Sequence, residues 1–209
     1  MPNHTPKYCW CLDPGHGPLT EGKRSPFITG KTRFFEFEFN RDIVRRLKVM
    51  LELAGIEHMI TVDPAAKIGD FLEGRVRNAN NHYSKLQKIF VSVHSNAGPV
   101  KTADDWSDAN GIETWFFHGS RLGAKLAQVF QDELIRNTGM RDRGIKSKEE
   151  KQFYVLRKTE MVAILTENGF FNNRVEVVSL MDGDVRQAIA QAHFNAIMQV
   201  EREGLYTKV

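Results

Sequence analysis

Two histidines and a glutamate follow short apolar runs in the sequence, and these residue types can bind a metal or move a proton. His16 comes a few residues after the first run, while His94 and Glu167 each directly follow such a run. Short apolar runs closed by Gly or Pro are typical of buried strands in an α/β sheet. Such sheets bind ligands beyond the carboxyl ends of their strands. We therefore expect the three side chains to converge, which indicates a metal site.

The third ligand of this site is expected to be a carboxylate at a strand end or a helix start. Catalytic zinc sites use three protein ligands from His, Glu or Asp and leave the fourth position to water. The segment 34–40 offers Glu36 and Glu38, which alternate with phenylalanines. Because such alternation is typical of a half-buried strand, both glutamates would point to the same face. The pattern alone does not choose between them.

Length and composition predict a compact domain of enzyme size. The chain has 209 residues, of which 41% are hydrophobic and 26% are charged. The net charge of +3 is far from the basic stripe of a nucleic-acid-binding protein, so we expect no nucleic-acid partner. No apolar stretch approaches the roughly 20 residues of a membrane span. Residues 1–7 are polar and too short for the apolar core of an export signal.

The only two cysteines, Cys9 and Cys11, lie in one predicted strand. Alternation along a strand points both side chains to the same face, but two residues of separation are too few for a relaxed disulfide. A zinc site would need two more soft ligands nearby, and none appears. The sequence therefore favours small buried residues without a chemical role.

The order of predicted elements alternates between strands and helices. Predicted strands cover 58–62, 89–93, 111–117, 154–156 and 163–166 after a first strand at 8–12, and predicted helices cover 40–53, 70–86, 120–137 and 184–203. This order predicts an α/β fold, a single domain with a mostly parallel or mixed twisted sheet of about six strands and helices on both faces. The loop-like stretches 17–32, 98–110 and 139–152 adjoin the polar segments, as expected of loops that build a cleft.

Eight short motifs follow one another in an order that is specific to one family. They are L-D-P-G-H-G at 12–17, E-x-x-x-N at 36–40, R-x-x-x-A-N at 75–80, S-V-H-S-N-A at 92–97, G-I-E at 111–113, D-R-G-I-K at 142–146, V-L-R at 155–157 and L-T-E-N-G-F-F-N-N at 165–173. On these motifs, from Leu12 to about Ala192, the chain resembles the zinc-dependent N-acetylmuramoyl-L-alanine amidases of the DPGHG type. That family includes bacterial cell-wall remodelling enzymes and phage lysis enzymes.

The resemblance implies one catalytic zinc ion and the residues that bind it. It assigns the ligand roles to His16, Glu36 and His94, so Glu36 rather than Glu38 would bind the metal, and it makes Glu167 the catalytic carboxylate. The implied reaction is hydrolysis of the amide that joins the lactyl group of N-acetylmuramic acid to L-alanine of the peptidoglycan stem peptide. Candidate substrate-binding residues are Asn96, Arg143, Phe170 and Asn172. For Asn96 and Arg143 a structural role is the alternative, and for Phe170 it is packing.

The same resemblance sets expectations for organisation and partners. We expect one catalytic domain over 1–209, with a motif-bearing core of about 8–203 and no separate cell-wall-binding domain. The protein would act as a monomer on peptidoglycan, without an activator, at the bacterial cell wall in the periplasm or outside the cell. It would be made in the cytoplasm and released by lysis, unless an export signal has been removed. Alternatives are an inactive peptidoglycan-binding module and a zinc peptidase or deacetylase on a related scaffold.

Overall fold

The computed structural model describes residues 5–205, so both ends of the predicted 1–209 domain lie outside the described residues. Its six strands are β1 (Tyr8–Pro14), β2 (His58–Ile60), β3 (Gln87–Asn96), β4 (Ile112–Phe116), β5 (Asp142–Lys146) and β6 (Val162–Phe170). They form one sheet in the order β2-β1-β3-β6-β4-β5. The first four strands of this order are mutually parallel, β4 runs antiparallel to β6, and β5 pairs parallel with β4.

Helices cover both faces of this mixed sheet. They are α1 (Glu36–Ala54), α2 (Leu72–Asn81), α3 (Arg121–Thr138), α4 (Tyr154–Lys158), α5 (Arg174–Met181) and α6 (Gly183–Glu203). Leu12, Val91 and Ile164 belong to the larger apolar cluster, together with side chains of α1, α3, α5 and α6. The neighbouring residues Cys11 and Phe90 join α2 and α4 in a second cluster. Successive residues of a strand thus face opposite layers, and the predicted fold class is confirmed.

Three elements of the structure differ from the prediction. Residues 154–156 form helix α4 rather than a strand, because Val155 and Leu156 both bury against α2 and so short an apolar run does not distinguish the two structures. The stretch 139–152, expected to be a loop, contains the edge strand β5, whose residues are partly exposed and lack an apolar pattern. Helix α5 was also missed; its exposed face carries Val175 and Val178, which obscures helical periodicity.

Among the described residues, no helix is both long enough and apolar enough to cross a membrane.

Candidate metal centre

The loop after β1 carries His16, and a buried arginine holds that loop in place. His16 adopts a left-handed backbone conformation, with φ of 60°, which is uncommon outside glycine. Arg75 on α2 donates to the backbone carbonyls of Pro14 and His16, each at 2.5 Å. It also donates to the carboxylate of Asp13 at 2.8 Å. The guanidinium fork therefore fixes a strained loop.

Three more contacts hold the His16 ring and the backbone of this loop. The Nδ1 atom of His16 lies 2.6 Å from a carboxylate oxygen of Asp70, an arrangement that leaves Nε2 free to face a metal. Gly15 packs so closely on His94 that an added Cβ would lie 2.1 Å from the imidazole ring. Asn40 donates its amide to the Gly15 carbonyl at 3.0 Å. Gly15 of the L-D-P-G-H-G motif and Asn40 of the E-x-x-x-N motif thus both shape the site.

The segment with the two candidate glutamates is the first turn of α1, not the half-buried strand that its alternation suggests. On a helix two residues of separation correspond to about 200°, so Glu36 and Glu38 point in nearly opposite directions. Glu36 is buried and Glu38 is exposed. The expectation that both share a face was wrong, because the phenylalanines bury on different sides of a helix start: Phe34 and Phe39 pack together in the core while Phe35 is exposed.

His16, Glu36 and His94 come together at the carboxyl end of β1 and β3. Their potential ligand atoms all lie within 4.8 Å of one another. His94 Nδ1 lies 3.0 Å from Glu36 Oε1, and His16 Nε2 lies 3.4 Å from Glu36 Oε2. Within residues 5–205, the buried Oε2 atom accepts no hydrogen bond, and such an orphaned oxygen is costly unless a partner occupies the site. This donor set fits a divalent metal of the zinc type.

The charge states of the cluster also suit a cation. Burial opposes ionisation of Glu36, but the hydrogen bond from His94 and the nearby charges hold the pKa of Glu36 below its usual range. Burial lowers the pKa of His16, although Glu36 opposes this shift. The cluster therefore presents a carboxylate and a neutral imidazole at neutral pH, the forms that bind metals. The two imidazole side chains keep 12% and 13% exposure, so the centre is open to solvent.

Glu167 lies on β6 beside this cluster, directly opposite His94 in the strand register. It is 8% exposed, and its Oε2 atom accepts no hydrogen bond from any described residue. Burial and then the negative charge of Glu36 raise the pKa of Glu167 well above its usual value. Asn168 steadies the adjoining backbone, since its amide donates to the His94 carbonyl at 2.9 Å. A free, poised carboxylate next to a ligand cluster can exchange protons with bound water.

The polar residues expected to touch a substrate include two that surround a buried carboxylate. Asn96 and Arg143 both donate to Glu113, at 3.0 Å and 2.7 Å. The guanidinium of Arg143 also stands over the ring of Phe170, 4.8 Å from its centroid, and it remains partly exposed. Arg143 therefore keeps part of its surface for a ligand while Glu113 fixes its position.

Phe170 and Asn172 lie deeper than the other two candidates. Phe170 is 2% exposed and Asn172 is 3% exposed. The side chain of Asn172 binds both the amide and the carbonyl of Gly98, at 2.8 Å and 3.0 Å, and so ties the turn after β6 to the loop after β3. Neither Phe170 nor Asn172 is among the described residues that line the cleft beside His16, His94 and Glu167, and their assignment as substrate-binding residues stays a prediction.

An apolar wall borders the cluster and was not foreseen from the sequence. Leu72, Phe153 and Val155 line the cleft that His16, His94 and Glu167 open into. These side chains come from α2 and from α4 with its preceding residue. The missed helix α4 is the reason that the wall was not predicted.

Comparison with known proteins gives a consistent set of relatives. A family model described as N-acetylmuramoyl-L-alanine amidase matches residues 11–199. The chain is 28% identical over 183 residues to N-acetylmuramoyl-L-alanine amidase LytC of Bacillus subtilis (strain 168), covering 87% of this chain and 33% of that protein. It is 29% identical over 200 residues to the endolysin of Bacillus phage SPP1, covering 93% of this chain and 66% of the endolysin.

Solved structures share the same fold. The crystal structure of N-acetylmuramoyl-L-alanine amidase from Clostridium difficile 630 superimposes with a TM-score of 0.79 at 27% identity, covering 96% of this chain and 100% of that one. The catalytic domain of CwlV, from Bacillus (Paenibacillus) polymyxa var. colistinus, gives a TM-score of 0.74 at 28% identity and covers 92% and 97%. The chain spans between about a third and two thirds of the length of three of the curated relatives it matches.

Proposed function

The chain belongs to the N-acetylmuramoyl-L-alanine amidase family, and on this premise we propose that it hydrolyses peptidoglycan with one zinc ion. The bond to be cleaved joins the lactyl group of N-acetylmuramic acid to L-alanine of the stem peptide. The observation that carries the proposal is the cluster of His16, Glu36 and His94 with the free carboxylate of Glu167 beside it.

The proposed chemistry divides into what a metal supplies and what the chain supplies. Bound zinc lowers the pKa of a water molecule to about 7 and polarises a carbonyl group. His16, Glu36 and His94 hold the ion, and Asp70 fixes the ring orientation of His16. Glu167 accepts the proton of the attacking water at its free Oε2 atom and then donates it to the departing amine. Burial and the charge of Glu36 raise the pKa of Glu167 above its usual value, and a shift in this direction favours a carboxyl group that carries a proton from the water to the amine.

The substrate is proposed to lie along the cleft with its peptide over the apolar wall. Leu72, Phe153 and Val155 form this wall and would exclude water from one side of the scissile amide. Arg143, held by Glu113 at 2.7 Å, offers the unused part of its guanidinium to a stem-peptide carboxylate. Asn96, Phe170 and Asn172 are proposed to contribute to substrate binding from positions outside the lining of this cleft.

We also propose that the protein digests cell walls as a monomer, without an activating partner. In residues 5–205, α3 buries Leu126, Phe130 and Leu134 in the core, so this helix is part of the fold rather than a detachable cover. The proposed site of action is the bacterial cell wall. A phage lysis enzyme and a host remodelling enzyme both fit this chemistry.

Metal content measured together with wall digestion tests the proposal, and the two glutamates provide matched variants. Glu36→Ala should lose most of its zinc by elemental analysis and should no longer clear a suspension of purified cell walls. Glu38→Ala, two residues away and exposed, should keep both properties. Equal zinc content and activity in the two variants would remove Glu36 from the ligand set.

The products separate this function from its rivals. The proposed amidase releases stem peptides with a free L-alanine amino terminus, and mass spectrometry of the digest should detect them. A wall-binding module would sediment with the walls without releasing any product. A zinc peptidase would cut within the stem peptide, and a deacetylase would release acetate; either product pattern would contradict the proposal.

A further inference from the structure

A second group of potential metal ligands lies at the opposite end of the sheet. Cys9, Glu57 and His82 each offer one ligand atom, and these atoms all lie within 4.8 Å of one another. Among the described residues, only this group and the cluster at His16, Glu36 and His94 meet that criterion. The two are separated by the length of β1, about 20 Å at roughly 3.3 Å per residue. We refer to Cys9, Glu57 and His82 as the amino-edge cluster.

Strand pairing brings the first two members together. Trp10 pairs with His58 in the parallel ladder of β1 and β2, and the Trp10 amide donates to the Glu57 carbonyl at 2.9 Å. One residue earlier, Cys9 and Glu57 are therefore neighbours across the ladder. Side chains at neighbouring positions of adjacent strands point to the same face of a sheet. The thiol and the carboxylate are consequently held side by side by backbone hydrogen bonds.

The third member is placed by the end of α2. His82 is the residue that closes this helix, and Lys88 on β3 fixes the backbone there. The Lys88 ammonium donates to the carbonyls of Ala79, Asn80 and His82, at 2.7, 2.6 and 3.1 Å. These contacts account for all three of its donors. Lys88 therefore holds the backbone at the end of α2, from which the His82 ring reaches the cluster.

The carboxylate of this cluster has a further partner. The hydroxyl of Ser84 donates to Glu57 Oε1, which orients the carboxylate as the outer partners of metal ligands do. A thiolate, rather than a thiol, is the form that binds a metal, so an ion bound at Cys9 would displace the thiol proton.

The geometry points to a second metal site at the amino-edge cluster, which would bind a thiophilic divalent ion of the zinc class through Cys9, Glu57 and His82. Sulfur, imidazole and carboxylate ligands together suit zinc and do not suit magnesium or calcium. The three ligands leave the fourth tetrahedral position to water. A bound ion would tie β1 and β2 to α2, the helix from which Arg75 holds the loop of His16.

Cobalt titration tests this site without relying on catalysis. A cobalt ion bound by a thiolate gives a charge-transfer absorption band in the near ultraviolet, whereas His16, Glu36 and His94 offer only nitrogen and oxygen. The reduced, metal-free full chain is titrated with Co²⁺. We expect the band to appear at one cobalt per chain at the amino-edge cluster, within a total stoichiometry of two. Because the band does not depend on wall digestion, failure of the proposed amidase function would leave it unchanged.

Variants decide which residues bind the ion. Glu57→Gln and His82→Gln should each weaken the cobalt affinity read from the band by at least about 10- to 100-fold, the loss that even indirect partners of metal ligands cause. Cys9→Ser should abolish the band. Because Cys9 is fully buried, its replacement can disturb folding, and the two variants nearer the surface keep the test independent of that effect.

Two neighbours serve as matched controls. Cys11→Ser retains the Cys9 thiol and should keep the band. His58→Gln changes a histidine next to Glu57 whose ring binds the Ile56 carbonyl at 2.9 Å, and it should keep the band as well. The site does not exist if the folded wild-type chain shows no band. A band of unchanged affinity in both Glu57→Gln and His82→Gln would also overturn the assignment, since it would come from the cysteines alone.

Discussion

The two edges of the sheet each gather three potential ligands around β1, and they differ in what surrounds those ligands. At the carboxyl edge, Glu167 presents a buried oxygen that accepts no hydrogen bond from residues 5–205, next to His16, Glu36 and His94. At the amino edge, the residue paired with Cys9 on the adjacent strand β3 is Lys88, a cation rather than a carboxylate. A ligand set is sufficient to hold an ion, whereas hydrolysis also needs a group that exchanges protons. On this comparison, the proposed catalysis belongs to the carboxyl edge, and the amino edge is proposed to hold an ion without a proton-exchanging group beside it.

The two edges also differ in how the backbone around the ligands is held in place. His16 sits in a left-handed conformation that Arg75, Asp70 and Asn40 stabilise through its loop. Cys9 and Glu57 need no such device, because the regular ladder between β1 and β2 already sets them side by side. Strained backbone held by buried polar groups is common at catalytic sites. The ligands at the carboxyl edge thus depend on more side-chain hydrogen bonds than those at the amino edge.

The largest expected effect comes from removing a ligand at the carboxyl edge alone. His94→Ala should lower the zinc content by about one ion per chain and abolish wall digestion, because two ligands do not retain a catalytic ion. The thiolate band of the amino edge should persist in this variant. Elemental analysis and the clearing of wall suspensions measure the first two outcomes. Full zinc content with normal digestion would contradict the ligand assignment.

The next effect separates proton transfer from metal binding. Glu167→Gln keeps the shape of the side chain and removes the proton acceptor, so activity should fall by about 100- to 10,000-fold or more while zinc content stays normal. Steady-state digestion rates and elemental analysis provide the measurement. The exposed Glu160→Gln is the control and should behave like the wild type. If Glu167→Gln lost zinc, Glu167 would be a ligand instead.

A third prediction concerns the helix that contacts both edges. Arg75 and Asp13 are each 1% exposed and form an ion pair, so Arg75→Met would leave a buried carboxylate without its partner. Breaking a buried pair in this way typically costs about 3–5 kcal/mol, and urea unfolding should show a loss of that size. Arg77→Met, on the exposed side of the same helix, should change the free energy of unfolding by less than about 0.5 kcal/mol. Similar stabilities for the two variants would contradict a central role for Arg75.

The smallest expected effect is the pH dependence of that same pair. Burial opposes ionisation of Asp13, but Arg75 and the hydroxyls of Ser92 and Thr61 hold its pKa below the usual value. The stabilisation is therefore complete above the unfolded pKa of about 3.9 and is lost as the pH falls through the folded pKa. The difference in unfolding free energy between the wild type and Asp13→Asn should shrink below about pH 4. A constant difference from pH 5 to pH 2 would contradict this linkage.

The sequence alone determined the order of the elements except for β5, α4 and α5, and it determined much of the carboxyl edge. His16, His94 and Glu167 could be placed because apolar runs show where strands end, and parallel strands bring those ends together. Glu36 could be chosen over Glu38 only through the family resemblance. Its physical reason, the start of α1 at Glu36, was hidden because the Phe/Glu alternation also fits a strand.

The tertiary structure alone decided which distant residues meet. Helix α4 and the apolar wall depend on burial against α2, which a short apolar run cannot specify. The amino-edge cluster joins Cys9 to residues 48 and 73 positions later in the chain, so no local search around the cysteines would reveal it. Local patterns encode which face a residue occupies, whereas strand register and helix packing decide its neighbours. The amino-edge cluster forms because strand register places Cys9 beside Glu57 and the end of α2 adds His82.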